Sequence, residues 1–132
     1  FDKPIFVTNC DIIIKTDYKN FYNYHLKGKY DLSIVAASKS YEIPYGTCQI
    51  SDDGLLVGIN EKPKYEFLTN TGLYLLNPDL LSQIPKDTFF HITDLIKKII
   101  KNGGKVGVFP VSAECWLDVG QWENYEVAKN KI

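Results

Sequence analysis

The chain has 132 residues, 45% hydrophobic and 23% charged, which suits one globular domain with a real core and argues against disorder. Fifteen Lys plus Arg against sixteen Asp plus Glu leave a net charge of −1 with no basic block, which argues against a surface that wraps nucleic acid. The longest apolar runs, "DIIIK" and "TGLYLLN", are far too short to span a bilayer, and the opening residues do not read as a signal peptide.

"PIFVTN", Pro4 to Asn9, reads as a short apolar strand of the kind buried in a parallel sheet. After "CDIIIK", Thr16 and Asp17 offer N-cap oxygens. Tyr18, Phe21, Tyr22 and His25 then fall at i, i+3, i+4 and i+7 on one helix face, and Gly28 ends that helix. "DLSIVAAS" is a second buried strand, so strand, helix and strand within roughly thirty residues predict a βαβ unit with a right-handed crossover.

The pattern then changes. "YGTCQIS" and "LLVGINEK", joined by "DDG", predict an antiparallel hairpin. "NTGLYLLN" is a further apolar strand, and Pro78 marks a helix start with Asn77 as its cap. Thr93 is the expected cap of a helix over "TDLIKKIIKNGG". Leu95, Ile96, Ile99 and Ile100 form its apolar stripe, and Gly103 stops it. "KVGVFPV" reads as a strand, "WLDVG" as a short loop and "QWENYEVAKNK" as a closing amphipathic helix. The expected class is α/β with a mixed sheet and no internal repeat.

Cys10, Cys48 and Cys115 are odd in number, scattered and without a C-x-x-C pair. That argues against a disulfide framework or a zinc site and favours small buried side chains in a reducing cytoplasm. The chain begins at Phe1, contains no methionine and runs at once into a strand, which reads as a piece of a longer protein.

Several residues sit where chemistry would be placed. Asp11 follows the first strand and Asp118 lies in the loop "CWLDVGQW". Taken alone, each is more often a cap. Two carboxylates at strand ends can hold one Mg²⁺ that keeps its other positions for water and phosphate oxygens, though spacing alone does not make them meet. Gly46 is either a turn glycine after Pro44 or a bare backbone that a ligand approaches. Glu61 and Lys62, in "GINEKP", point to opposite faces unless the strand ends there, and Pro63 makes such an end expected. They are either a solvated charge pair or a carboxylate for hydroxyls beside an ammonium for phosphate. His25 and His91 need no chemistry: one lies on an apolar helix face and the other precedes a cap. No P-loop, Ser/His/Asp set or metal-spaced histidine pair is present in the sequence.

In succession, "VTNCD", "PYGTCQISDDGLLVGINEKP", "TNTGLYLLNPDLLSQIP", "FFHITDLIKKIIKNGGKVGVFPV" and "WLDVGQWENYEVA" resemble the sugar-1-phosphate nucleotidyltransferases, the nucleoside-diphosphate-sugar pyrophosphorylases. The resemblance covers nearly the whole chain and is closest to the bacterial branch with the mannose-1-phosphate guanylyltransferases. It implies a Rossmann-like nucleotide-diphospho-sugar transferase fold, mainly parallel with an antiparallel hairpin, of which this chain is the C-terminal part. It also implies Asp11 and Asp118 as the Mg²⁺ pair, Gly46 offering backbone to the sugar and Glu61 binding sugar hydroxyls. Lys62 would grip the sugar phosphate, and Thr71 and Gly72 would line the sugar pocket. The implied partners are a nucleoside triphosphate and a sugar 1-phosphate, with neither nucleic acid nor membrane, and a homo-oligomer is compatible.

Two departures stand out. The family commonly has glycine before the first metal aspartate, where this chain has Cys10. Its Gly-rich N-terminal loop for the triphosphate has no counterpart here, so the chain alone is expected not to catalyse. Two rivals remain. A Rossmann-like nucleotide-sugar glycosyltransferase typically carries an Asp-x-Asp motif for its metal, and Ile12 and Ile13 after Asp11 weaken that reading. A non-catalytic module that senses sugar phosphates would have no need of both Asp11 and Asp118.

Overall fold

The computed structural model describes residues 2–120. The order of elements is β1 (Ile5–Thr8), β2 (Ile12–Ile14), α1 (Tyr18–Gly28), β3 (Leu32–Glu42), β4 (Thr47–Ile50), β5 (Leu56–Asn60), β6 (Lys64–Leu76), a 3₁₀ turn over Pro78–Gln83, α2 (Ile92–Lys101), β7 (Val106–Val111), a 3₁₀ turn over Ala113–Cys115 and β8 (Trp116–Asp118). The closing helix expected over "QWENYEVAKNK" lies outside the described residues.

The main sheet has the order β1-β6-β3-β7. β6 runs antiparallel to both β1 and β3, and β3 runs parallel to β7. β1, β3 and β7 therefore share one direction, with β6 reversed between the first two. The expected βαβ unit is real in direction but not in adjacency, because β6 separates its two strands. Among the described residues β1 is an edge strand of alternating burial, with Phe6 exposed, and not the fully buried strand its apolar run suggests.

The pleat divides the core into two. On one face Leu32, Tyr74 and Leu76 pack with Leu95 and Ile99 of α2. On the other, Val35, Leu73 and Leu75 pack around Phe21 of α1. β6 supplies both faces from consecutive residues, the pattern expected of a strand covered on two sides.

α1 starts where Asp17 accepts a hydrogen bond from the Asn20 N–H at 2.9 Å. Its last helical residue is Gly28, and the left-handed reversal falls on Lys29 (φ 49°). His25 is buried with both ring nitrogens engaged: Nε2 faces Asn77 Oδ1 at 3.0 Å and Nδ1 faces Ser33 Oγ at 2.8 Å. The Asn77 amide nitrogen donates to Tyr30 O, so its oxygen accepts. This fixes the proton on Nε2 and lets Ser33 donate to Nδ1. Asn77 thus begins the 3₁₀ turn without capping it, its side chain being committed to His25 and Tyr30.

Three expectations change. α2 begins at Ile92 with extended His91 before it, so Thr93 lies inside the first turn and caps nothing. Ile100, assigned to the apolar stripe, is exposed, while Leu95 and Ile99 are buried. Cys10 and Cys48 are exposed and Cys115 half-buried, so the three are not core side chains. Among the described residues no helix is long and apolar enough to cross a membrane.

Phe21 is wholly buried at the centre of the α1 face. Phe21→Ala is expected to cost about 3–5 kcal/mol through lost transfer energy and the cavity left behind. Urea denaturation followed by circular dichroism measures it.

Candidate functional site

β1 and β7 end beside the middle of β3, where Val111 pairs with Ala37, and open α/β sheets gather ligands at such carboxyl ends. A cleft of about 230 Å³ opens there. Its walls come from the segment after β1 (Asn9, Asp11), the inner part of β6 (Asn70, Thr71, Gly72), and β8 (Trp116, Asp118).

"WLD" is a strand rather than the expected loop. β8 pairs antiparallel with β2, with Ile12 opposite Asp118 and Ile14 opposite Trp116. Val119 N–H continues the ladder to Asp11 O at 2.8 Å. This small ribbon places Asp11 and Asp118 at the same end of two neighbouring strands. Their side chains converge on Gly120: a Cβ there would stand 2.7 Å from Asp11 Oδ2 and 3.2 Å from Asp118 Oδ1. The Gly120 N–H donates to Asp118 Oδ1 at 3.0 Å. Glycine is what lets the backbone pass so close to both carboxylates.

The opposite wall depends on an irregularity. The β3–β6 register shifts between Ile34 and Ala36, where Tyr74 and then Asn70 are the partners. Gly72 takes φ +88° inside this step, and its N–H donates to Asn70 Oδ1 at 3.0 Å. Asn70 Nδ2 donates onward to the Tyr74 hydroxyl at 2.8 Å. Asn9 lies over Gly72, accepting nothing from it but donating its N–H to Gly72 O at 2.9 Å. Thr71 is buried, and its hydroxyl donates to Val35 O at 2.8 Å, so this side chain is engaged by the fold.

The other expected residues form a second group. Gly46 precedes β4 and Glu61 follows β5, at the open end of the hairpin where Thr47 pairs with Asn60. A Cβ on Gly46 would lie 3.0 Å from Glu61 Oε2, so the bare backbone admits that carboxylate. The strand ends at Asn60, as Pro63 predicts, and Lys62 adopts a left-handed conformation (φ 43°) in the turn beyond it. The two groups are set apart by the ladder from Ala36↔Asn70 to Glu42↔Lys64. At ~3.3 Å per residue that is roughly 20 Å of strand. Asp11, Asp118, Thr71 and Gly72 line one cleft, and Gly46, Glu61 and Lys62 do not line it.

Asn9, Asn70, Trp116 and Gly120 were not among the residues expected from sequence. Trp116 had a usable signal: two residues before Asp118, it shares a face with it once "WLD" is read as a strand.

Comparison with known proteins supplies the wider setting. A family model described as nucleotidyl transferase matches residues 1–132. A glucose-1-phosphate adenylyltransferase of Bacillus subtilis is 27% identical, covering 88% of this chain and 33% of its own length. The catalytic subunit beta of a mannose-1-phosphate guanylyltransferase of Drosophila pseudoobscura pseudoobscura is 27% identical over 93% of this chain and 33% of its own. Among solved structures, HddC from Yersinia pseudotuberculosis complexed with GMP-PN superposes with a TM-score of 0.68 at 26% identity, covering 98% of this chain and 55% of that one. The chain therefore spans about a third of the length of these relatives and about half of the solved one.

The strained wall yields a direct test. Gly72→Ala forces a Cβ to within 2.7 Å of Asn9 Nδ2 at a positive φ, and the backbone strain alone is of order 1–3 kcal/mol. Thermal denaturation should show that loss, and the Asn9 side-chain amide resonances should shift.

Proposed function

Because the chain belongs to the nucleotidyl transferase family, we propose that it forms part of an enzyme that makes a nucleoside-diphosphate sugar, with GDP-mannose or a related GDP-sugar as product. A phosphate oxygen of the sugar 1-phosphate attacks the α-phosphorus of the triphosphate. The bond from that phosphorus to the bridging oxygen breaks, and pyrophosphate leaves with the electron pair. No covalent enzyme intermediate is needed, so the protein's contribution is alignment and charge neutralisation. The guanine and mannose assignments are supported by the named guanylyltransferase relative and by the GMP-PN complex of the solved one.

The observation that carries this reading is the convergence of Asp11 and Asp118 at Gly120. Two carboxylates forced together beside a polar cleft suit a hard cation, and a pair fits Mg²⁺, which binds through one or two carboxylates and leaves its other positions to water and phosphate. When bound, Mg²⁺ would supply charge neutralisation for the phosphates in the cleft. Asp11 and Asp118 would hold it, and Gly120, lacking a side chain, would leave their oxygens clear. Glu61 would accept hydrogen bonds from sugar hydroxyls while the Gly46 backbone faces the ring. Lys62 would hold the sugar phosphate. For both groups of residues to serve one substrate, the β3–β6 arm must curve over the cleft, in the sense that the twist of paired strands allows.

In a protein carrying this chain at the full length of its relatives, pyrophosphate release with Mg²⁺ should appear for one triphosphate and sugar 1-phosphate pair. Asp118→Asn and Asp11→Asn should each lower kcat/KM by on the order of 100-fold or more, the scale set by losing a preorganised electrostatic contact. Activity unaffected by both would refute the assignment. Gly120→Ala should raise the Mg²⁺ concentration needed for half-maximal rate while leaving the folded spectrum unchanged. Full activity at unaltered Mg²⁺ would show that the carboxylates do not act as a pair.

A further inference from the structure

A phosphate-bearing substrate that enters the cleft meets two carboxylates, and the lysine expected to help it lies roughly 20 Å of strand away. Another lysine stands much closer. Lys39 pairs with Phe67, midway along the ladder between the two groups. It is half-buried. Its Nζ rests 4.6 Å from the centre of the Trp116 ring, and Trp116 lines the cleft. Trp116 and Asp118 are alternate residues of β8, so their side chains leave the same face of the ribbon, about 7 Å apart along the strand.

Two features of this corner are unresolved by the protein itself. Among the described residues Lys39 has no carboxylate within salt-bridge distance. The Trp116 Nε1–H is buried and, among the described residues, has no hydrogen-bond partner, whereas buried donors are ordinarily satisfied. An ammonium without a carboxylate partner, held over an aromatic ring that lines the cleft, selects an acceptor that is anionic and has several oxygens. A phosphoryl group fits, and a neutral hydroxyl would leave the ammonium unanswered. A cation over an aromatic face is held more weakly than one in a charge-assisted hydrogen bond, so the ammonium can leave the ring for a phosphate.

We propose that Lys39, poised over the Trp116 ring at the wall of the cleft, is a phosphate-binding residue of this site, its ammonium leaving the ring to take a phosphoryl oxygen of the substrate. The inference rests on the nucleotidyl-transfer reading for the identity of the ligand. The phosphate could belong to the nucleotide or to the sugar, and the two sources are separable.

The test titrates the chain with inorganic pyrophosphate and, separately, with mannose 1-phosphate, each with and without Mg²⁺. The readout is the indole N–H resonance of Trp116, assigned through Trp116→Phe. The expected result is a saturable shift with at least one probe. Lys39→Ala should weaken binding of that probe roughly tenfold, as losing one charged hydrogen bond implies, and Lys39→Arg should restore most of it. A shift with pyrophosphate places Lys39 on the nucleotide's phosphates, and one with mannose 1-phosphate places it on the sugar's. No shift with either probe, or equal affinity in Lys39→Ala, overturns the proposal. If binding needs Mg²⁺ and is lost in Asp118→Asn but not in Lys39→Ala, the proposal fails while the transferase reading stands. If binding needs Lys39 but is indifferent to Mg²⁺ and to Asp118→Asn, the phosphate site stands and the transferase reading fails.

Discussion

Two like charges held side by side are the constraint on which the rest of this structure turns. Asp11 and Asp118 come from distant parts of the sequence and are locked together by a three-rung ribbon, β2 with β8, with Gly120 threaded between them. A free pair of carboxylates would separate into water. Here the backbone ladder sets their spacing, and Val119 N–H to Asp11 O closes it. Their mutual repulsion is of a size that one divalent cation reverses, since the attraction of each carboxylate to a double charge exceeds the repulsion between them at similar distance. The main sheet holds the ribbon's two ends in place: β1 leads into Asp11, and β7 leads through a short 3₁₀ turn into β8.

The reversed strand β6 does the complementary work. Its inner half is buried on both faces and fills both cores. Among the described residues its outer half pairs with β3 alone, and there Tyr65, Phe67 and Leu68 are exposed. The transition is the register step at Thr71 and Gly72, where Asn70 and Asn9 satisfy the displaced backbone. One strand thus anchors the cleft wall and extends the arm that carries Gly46, Glu61 and Lys62. A two-stranded arm lacks the support of a full sheet.

Much of this was legible in the sequence, for identifiable reasons. The spacing of Phe21 and His25 predicts which face of α1 is buried, because period 3.6 is a local property. The hairpin and the break at Pro63 follow from turn chemistry, again local. The insertion of β6 between β1 and β3 was not legible, since apolar runs do not state their neighbours. β8 escaped for the opposite reason: three residues are too few for a period, and Asp-Val-Gly looks like a turn. That one misreading hid the meeting of Asp11 with Asp118 and the alignment of Trp116 with them. The resemblance to nucleotidyltransferases named the pair without being able to say how the chain joins it. Cys10 and Cys48 were misplaced because a small apolar side chain beside a strand end carries no mark of which way it points.

The most direct test of the central claim replaces Mg²⁺ by paramagnetic Mn²⁺ and records amide line broadening across the chain. If the carboxylate pair holds the cation, substoichiometric Mn²⁺ should broaden Asp11, Ile12, Asp118 and Gly120 first, leaving Gly46 and the Asp52–Asp53 turn sharp, and Asp118→Asn should abolish the effect. Broadening centred on the hairpin turn, or persisting undiminished in Asp118→Asn, would contradict the account.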